Sequence, residues 1–555
     1  MRLILILAFI GFCLSAQAQV SSNAYPPMTK PIQLTSNFAE YRKNHFHSGI
    51  DVSVRNRTSM NVFSIWDGYV SRVRYNSASY GRAVYITHPN GYSSLYGHLD
   101  AFAPFIDSLV LEYQYANKVF ETDIQIPAGT VPVKKGQVLG IAGNSGYSFG
   151  AHLHFEIRDA ATDDPVNPLK FIPVDDLMEP QFRQLCIYRM QPGGFLPAKA
   201  TYYPIIKKGS TFTTAAEIIV PDTFFLGFDV QDFQSFSYYR LLPQFIDVLI
   251  DDVPVCKINF DRFAFDQSGA CRGVFDHFAG LNSNKQIVTT YTGNHLRQRF
   301  FKQYSNDGVF VLADTLRHKL TVKATDTEFN TSVFNTTIKM GNIAPPAVGK
   351  HHLRTKYFHD LSTEHLTIKC DTGTFYSDLA LDEPLLTEYG TGDGMYWKIG
   401  YNEIPLIKPI HVYFAPAEEK NERTLLAKVS GKNIDKVWKP ALNQDNKMTA
   451  DIDRCGIFKL ITDTLAPVIS KTNVPSTGKI TWQKFITLVV TDNSGDIDVF
   501  NAYINGEWTL MTYDLKSDTF TVPLSAAQKA ALKTLRVEFV DLAGNKTERE
   551  YRFAQ

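Results

Sequence analysis

The 555-residue chain carries 56 basic and 56 acidic side chains, so its formal net charge is zero. Binding a polyanion such as nucleic acid usually needs a clustered basic excess, and this composition shows none. The length is too great for one core, because domains usually hold about 100–200 residues.

Residues 1–18 place one arginine before a short apolar run and end in Ala16-Gln17-Ala18, a small-x-small cleavage pattern. The expectation is a signal peptide over 1–18, cleaved after Ala18, and an exported protein, periplasmic or extracellular. The apolar run is short for a bilayer span, which takes about 20 residues. No later stretch is long and apolar enough to cross a membrane. Cys13 follows Phe12 instead of the small residue expected before a lipidated cysteine.

Three short segments then carry the chemistry: His47-Ser48-Gly49-Ile50-Asp51, Tyr96-Gly97-His98-Leu99 and His152-Leu153-His154. A catalytic zinc usually takes three protein ligands and leaves one position for water. His47, Asp51 and one histidine of the His152/His154 pair fill that set, leaving the other histidines for acid–base work. Residues 139–150 are rich in glycine and small polar side chains and read as a loop. Residues 152–158 alternate as a strand. Side chains two apart share a face, so His152, His154 and Glu156 line one side while Leu153, Phe155 and Ile157 pack the other. Glu156 is either a partner that fixes a ring tautomer or a solvated strand residue. Residues 83–87 and 92–96 flank Pro89-Asn90-Gly91 and read as a hairpin; His88 beside that turn reads as structural. Tyr41 and Arg42 are candidate oxyanion donors.

Residues 44–51, the Tyr96-Gly97-His98-Leu99 box and residues 150–157 resemble the lysostaphin/LytM-type zinc metallopeptidases. So do Trp66-Asp67-Gly68-Tyr69-Val70, Ile86-Thr87-His88-Pro89-Asn90-Gly91, Lys135-Gly136-Gln137-Val138-Leu139-Gly140 and Val166-Asn167-Pro168. The boxes follow in family order from about Leu34 to about Pro168, roughly a quarter of the chain. The resemblance implies one zinc ion held by His47, Asp51 and His154, with His98 and His152 as the two catalytic histidines. His45 competes with His47 on paper, but only His47 stands four residues before Asp51. The resemblance also implies a compact antiparallel β fold over residues 30–173, with the zinc in a groove and peptidoglycan peptides as substrate. The family crosses the gap after Leu99 with a short loop. Here residues 102–132 form an aromatic-rich insert, either a wall of the groove or a hairpin packed away from it.

Beyond residue 174 the chain reads as strands and turns. Residues 319–326 and 534–541 alternate alike, and both turn with an aspartate four positions before an asparagine: Asp326 and Asn330, Asp541 and Asn545. The second form resembles the last strands of bacterial immunoglobulin-like modules, and the echo suggests at least two β-sandwich units. Proline-bearing breaks at residues 342–346 and 463–468 divide the tail into 174–342, 343–463 and 464–555. The fold class is therefore mainly β, a lysostaphin-type peptidase domain followed by Ig-like sandwich modules. After loss of Cys13 five cysteines remain, with Cys256 and Cys271 the candidate local bridge. The function expected is an exported zinc endopeptidase acting on peptidoglycan stems or cross-links, its tail docking an envelope protein. The alternative is a non-catalytic activator or scaffold of another wall hydrolase.

Overall fold

The computed structural model describes residues 23–553 apart from 56, 58, 191–199, 293–298, 343–348, 393, 403, 415–422, 432, 443–446, 477, 481, 482 and 496. The signal-peptide expectation over residues 1–18, and most of the break at 342–346, lie outside the described residues.

The N-terminal unit is one antiparallel sheet with a single added helix. Its strands are β1 (Leu34–Ser36), β2 (Ile50–Ser53), β3 (Asn61–Phe63), β4 (Gly68–Tyr75), β5 (Arg82–Thr87), β6 (Tyr92–Phe102), β7 (Thr122–Gln125), β8 (Pro132–Val133), β9 (Val138–Ala142), β10 (His152–Asp159) and β11 (Pro165–Val166). The main path runs β1-β2-β10-β6-β5-β4-β7. Alternation decides the faces: Leu153, Phe155 and Ile157 of β10 join Ile50, Val52, Val84, Ile86 and Tyr96 in one core.

The insert is not a hairpin. Helix α1 (Pro104–Asn117) opens with proline in its first turn and buries Ile106, Val110 and Gln114 at a spacing of four. The chain then returns as β7 beside β4. Tyr115 stands edge-on to Trp508, and Phe120 packs on Phe500. The insert thus docks the last module.

Three further β units follow. In the first, a five-stranded sheet containing Gln181–Arg189 and Thr223–Gln231 shares its core with an eight-stranded sheet containing Phe245–Ile250, Arg317–Thr325 and Thr331–Met340. That core reaches into the N-terminal unit and takes in Phe38, Ala39, Tyr41 and Phe46. A helical excursion, Phe265–Ala270 through His277–Ser283, covers them. Two five-stranded sheets occupy the middle of the tail. Two four-stranded sheets form its end, with Leu488, Phe520, Val537 and Phe539 between them.

Cys186, Cys256, Cys271, Cys370 and Cys455 are all free and buried. The expected Cys256–Cys271 bridge is therefore absent; each thiol packs in the first sandwich core as a small apolar group. No helix among the described residues is long and apolar enough to cross a membrane.

Candidate metal centre

Strand register brings the first two ligand candidates together. β10 pairs antiparallel with β2 so that His154 lies opposite Asp51, and directly opposed side chains share a face. His47 enters from the turn before β2, where its N–H donates to the Glu40 carbonyl and its own carbonyl accepts from Ala39. Each residue between has a task. Ser48 Oγ donates to Glu156 Oε1 at 2.7 Å. Gly49 lies so close to β10 that a Cβ would sit 2.2 Å from the Phe155 carbonyl oxygen. Ile50 is fully buried in the core.

Three atoms converge. His47 Nε2 and Asp51 Oδ1 are 3.1 Å apart, His154 Nδ1 and Asp51 Oδ1 3.0 Å, and the two nitrogens 3.1 Å. The outer partners decide which ring nitrogens carry protons. His47 Nδ1 lies 2.8 Å from the Asn37 carbonyl, which only accepts, so that nitrogen donates. His154 Nε2 likewise donates to the Glu156 carboxylate at 2.8 Å. In the neutral rings the inward nitrogens are then the ones with lone pairs, facing a carboxylate oxygen. Three ligand atoms within hydrogen-bond distance fit a cation that displaces any proton between them, and an imidazole–imidazole–carboxylate set suits zinc.

The surroundings hold this triangle in place. Arg42 Nη2 reaches the far Asp51 oxygen at 3.4 Å while Nη1 meets Glu40 at 3.1 Å. Burial opposes ionisation of Asp51, but the His47, His152 and His154 imidazoles overcome it and hold its carboxyl well below the usual range. Glu156 is fully buried and accepts from His154, Ser48, Tyr80 (2.6 Å) and Arg158 (2.6 Å). Burial alone would raise its pKa; the Arg158 guanidinium and His154 outweigh that and keep it ionised. Glu156 is thus the tautomer-fixing partner and not a solvated residue. Burial likewise disfavours charge on His154, yet its bonds to Asp51 and Glu156 lift it to about 9, so a cation entering the triangle takes the place of a proton at Nδ1.

His98 reaches the site through an irregularity. Tyr96 lies opposite Phe155 on the core face, so a regular strand would turn His98 to that face too. Instead β6 bulges against β5: Leu99 pairs with Arg82 and Tyr96 with Val84, giving β6 one extra residue. His98 has a left-handed backbone, φ 59°, and its ring stands 4.9 Å from His152 and 5.8 Å from His154. Its Nδ1–H donates to the Ser145 carbonyl at 2.8 Å. Burial first, then His154 and His152, push its pKa down to about 3. His152 Nδ1–H donates to the Gly150 carbonyl at 2.7 Å, and its Nε2 stands 3.5 Å from Asp51 Oδ1. With Nδ1 donating to a loop carbonyl, Nε2 is the acceptor atom of each neutral ring.

All five sequence candidates stand together: His47, Asp51 and His154 as the converging triangle, His98 and His152 beside it. His45 is exposed on Asn44 and outside the cluster. His88 is buried on Asp67 and Ser94, away from the triangle. The oxyanion reading of Tyr41 fails: its hydroxyl meets His277 and Lys43, because the ring belongs to the first sandwich core. Arg42 serves Asp51 instead. Asn37, Ser48, Tyr80 and Arg158 were not singled out; only the seryl position inside the His47–Asp51 box offered a signal.

Residues 45–118 match the family described as Peptidase family M23. That stretch holds His47, Asp51 and His98 and ends just after α1; His152 and His154 lie beyond it. An "Uncharacterized metalloprotease" of Haemophilus influenzae is 32% identical over 161 residues, 29% of this chain and 26% of that one. A "DD-carboxypeptidase/endopeptidase Mpg" of Neisseria meningitidis serogroup B is 30% identical over 134 residues, 24% of each chain. A solved "zinc containing peptidase from vibrio cholerae" is 27% identical, covering 26% of this chain and 38% of that one with a TM-score of 0.19. The chain spans about a quarter of the length of the curated relatives it matches.

Proposed function

From a chain that carries a peptidase family M23 domain, we propose an exported zinc metalloendopeptidase that hydrolyses peptide bonds in peptidoglycan stems or cross-links. The observation that carries this reading is the convergence of His47 Nε2, Asp51 Oδ1 and His154 Nδ1, 3.0–3.1 Å apart. The wall substrate is supported by the name of the Neisseria relative and by the leader-like residues 1–18.

His47, Asp51 and His154 hold the ion, one per chain. Zinc so bound supplies Lewis acidity toward the scissile carbonyl and lowers the pKa of a water toward about 7. Glu156 and the Asn37 carbonyl keep the two ligating rings in the tautomers that present lone pairs. His98 and His152 are the catalytic histidines, each fixed at Nδ1 by a loop carbonyl so that Nε2 accepts a proton and returns it to the leaving amine. Tyr147 and Phe149, 63% and 90% exposed on the same loop, offer an apolar surface to the substrate peptide. The tail modules dock an envelope component, a role supported by their place behind the peptidase unit.

The test is the full mature chain, loaded with zinc, acting on defined muropeptides. Mass spectrometry should show new peptide termini at one bond type, lost on chelation and regained with zinc. Intact muropeptides after incubation with loaded enzyme would refute the reading.

A further inference from the structure

Two aspartate clusters lie outside the peptidase site, and they repeat one plan. Asp176, Asp232 and Asp326 each bring a carboxylate oxygen within 4.8 Å of the other two, and so do Asp463, Asp492 and Asp541. In each cluster the first aspartate lies where the chain enters a sandwich, and the last closes the strand before the final one, Arg317–Thr325 or Thr534–Asp541. Asp326 Oδ2 accepts from Asn330 Nδ2 at 2.8 Å, and Asp541 Oδ2 accepts from Asn545 Nδ2 at 2.8 Å. The same amide groups donate to the carbonyls of Asp176 and Asp463. This is the physical content of the echo between residues 319–330 and 534–545.

What these hydrogen bonds leave over matters more. Asp232 is 4% exposed and Asp463 1% exposed, yet Asp232 Oδ1 and Asp463 Oδ2 have no hydrogen-bond partner. Asp492 Oδ2 is buried without one as well. Among the described residues none of the six carboxylates takes part in an ion pair, whereas the buried carboxylates Glu40, Glu156 and Asp164 of the N-terminal unit each have an arginine. Buried carboxylates are normally paired or bound to a metal. An oxygen-only set of three carboxylates beside backbone carbonyls suits a hard cation that takes six to eight oxygens; zinc prefers nitrogen and sulfur in fours.

We propose that each cluster is a calcium site, two per chain, stapling the segment that enters its sandwich to the loop and penultimate strand around it. The first site bears on the peptidase unit. Asp232 opens the loop whose Gln234 holds the backbone of Ile32 and Leu34, and whose Leu242 pins the Asn37 side chain at both ends. Asn37 is the residue whose carbonyl orients His47.

The experiment is equilibrium dialysis of full-length, zinc-loaded protein against calcium chloride, with bound calcium counted by elemental analysis and melting followed in parallel. Wild type should take up two calcium ions, half-saturating at about 0.1–1 mM as in extracellular modules, and its melting temperature should rise. Asp232→Asn and Asp463→Asn should each take up one. The double variant should take up none and melt at the same temperature with or without calcium, while circular dichroism reports its folded state. If the double variant fails to fold, Asp492→Asn, whose carboxylate is less buried, should take up one. No uptake by wild type at 10-fold the upper concentration, uptake unchanged in the variants, or filling by magnesium or zinc in preference to calcium would overturn the assignment.

Discussion

The two halves of the peptidase site are built by opposite means. His47, Asp51 and His154 sit on paired strands and a braced turn, and each is gripped from behind: by the Asn37 carbonyl, the half-buried Arg42 and the buried Glu156. The first sandwich stands behind that grip, through Leu242 on Asn37 and through Phe265, which packs 4.4 Å from the Arg158 guanidinium. His98 and His152 instead hang from carbonyls of one glycine-rich loop, at Ser145 and Gly150. The difference teaches what each half needs. Ligands must be fixed within tenths of an ångström, whereas proton carriers must reach a substrate that arrives and leaves.

Breaking the rigid half should have the largest effect. Asp51→Ala removes the only carboxylate of the triangle and should abolish hydrolysis of muropeptides, at least about 10³-fold. His98→Ala attacks the adaptable half and should lower turnover by about 10²–10⁴-fold while leaving bound zinc in place; a competition assay against a zinc-binding dye separates the two outcomes. Glu156→Gln weakens the grip on His154 and should cost about 10–100-fold in zinc affinity, with turnover of the loaded enzyme changed less. Asn37→Ala leaves the carbonyl but frees it from Leu242, so a smaller, few-fold loss of zinc affinity is expected in the same titration.

The smallest effect concerns stability and lies away from both halves. Burial lowers His88 to about 4 from about 6.5. Between those values the unfolded chain binds a proton that the folded chain refuses, so stability falls as pH drops from about 6.5 to about 4 and is level above. The full span is worth about 3 kcal/mol. His88→Gln should flatten that part of the urea-unfolding profile without changing zinc content, which would show that this histidine belongs to the frame alone.

Much of the metal triangle was legible because its information is local. A four-residue spacing marks His47 and Asp51, an alternating pair narrows the third ligand to His152 or His154, and the family resemblance chooses His154; the strand period puts His152, His154 and Glu156 on one face. The choice between tautomer partner and solvated residue at Glu156 was not legible, since it depends on Arg158, Tyr80 and Ser48 meeting there. The bulge that turns His98 inward leaves no mark in the Tyr96–Leu99 box, where plain alternation points His98 at Phe155. Tyr41 misled for a related reason: it lies just upstream of the His47–Asp51 box in sequence, but its neighbours in space are Phe275 and His277 of the first sandwich. Long-range packing of this kind also hid the docking role of α1, whose aromatic residues read equally well as a groove wall. The tail's echo was legible as a repeat, though its aspartate triangles emerge only when the entering segment is seen beside the penultimate strand.

Zinc counted per chain in the wild type, Asp51→Ala and His98→Ala tests the central claim most directly. The account predicts one, none and one ion, with all three proteins equally folded by circular dichroism. Equal zinc in Asp51→Ala and wild type, or none in any of the three after loading, would contradict it.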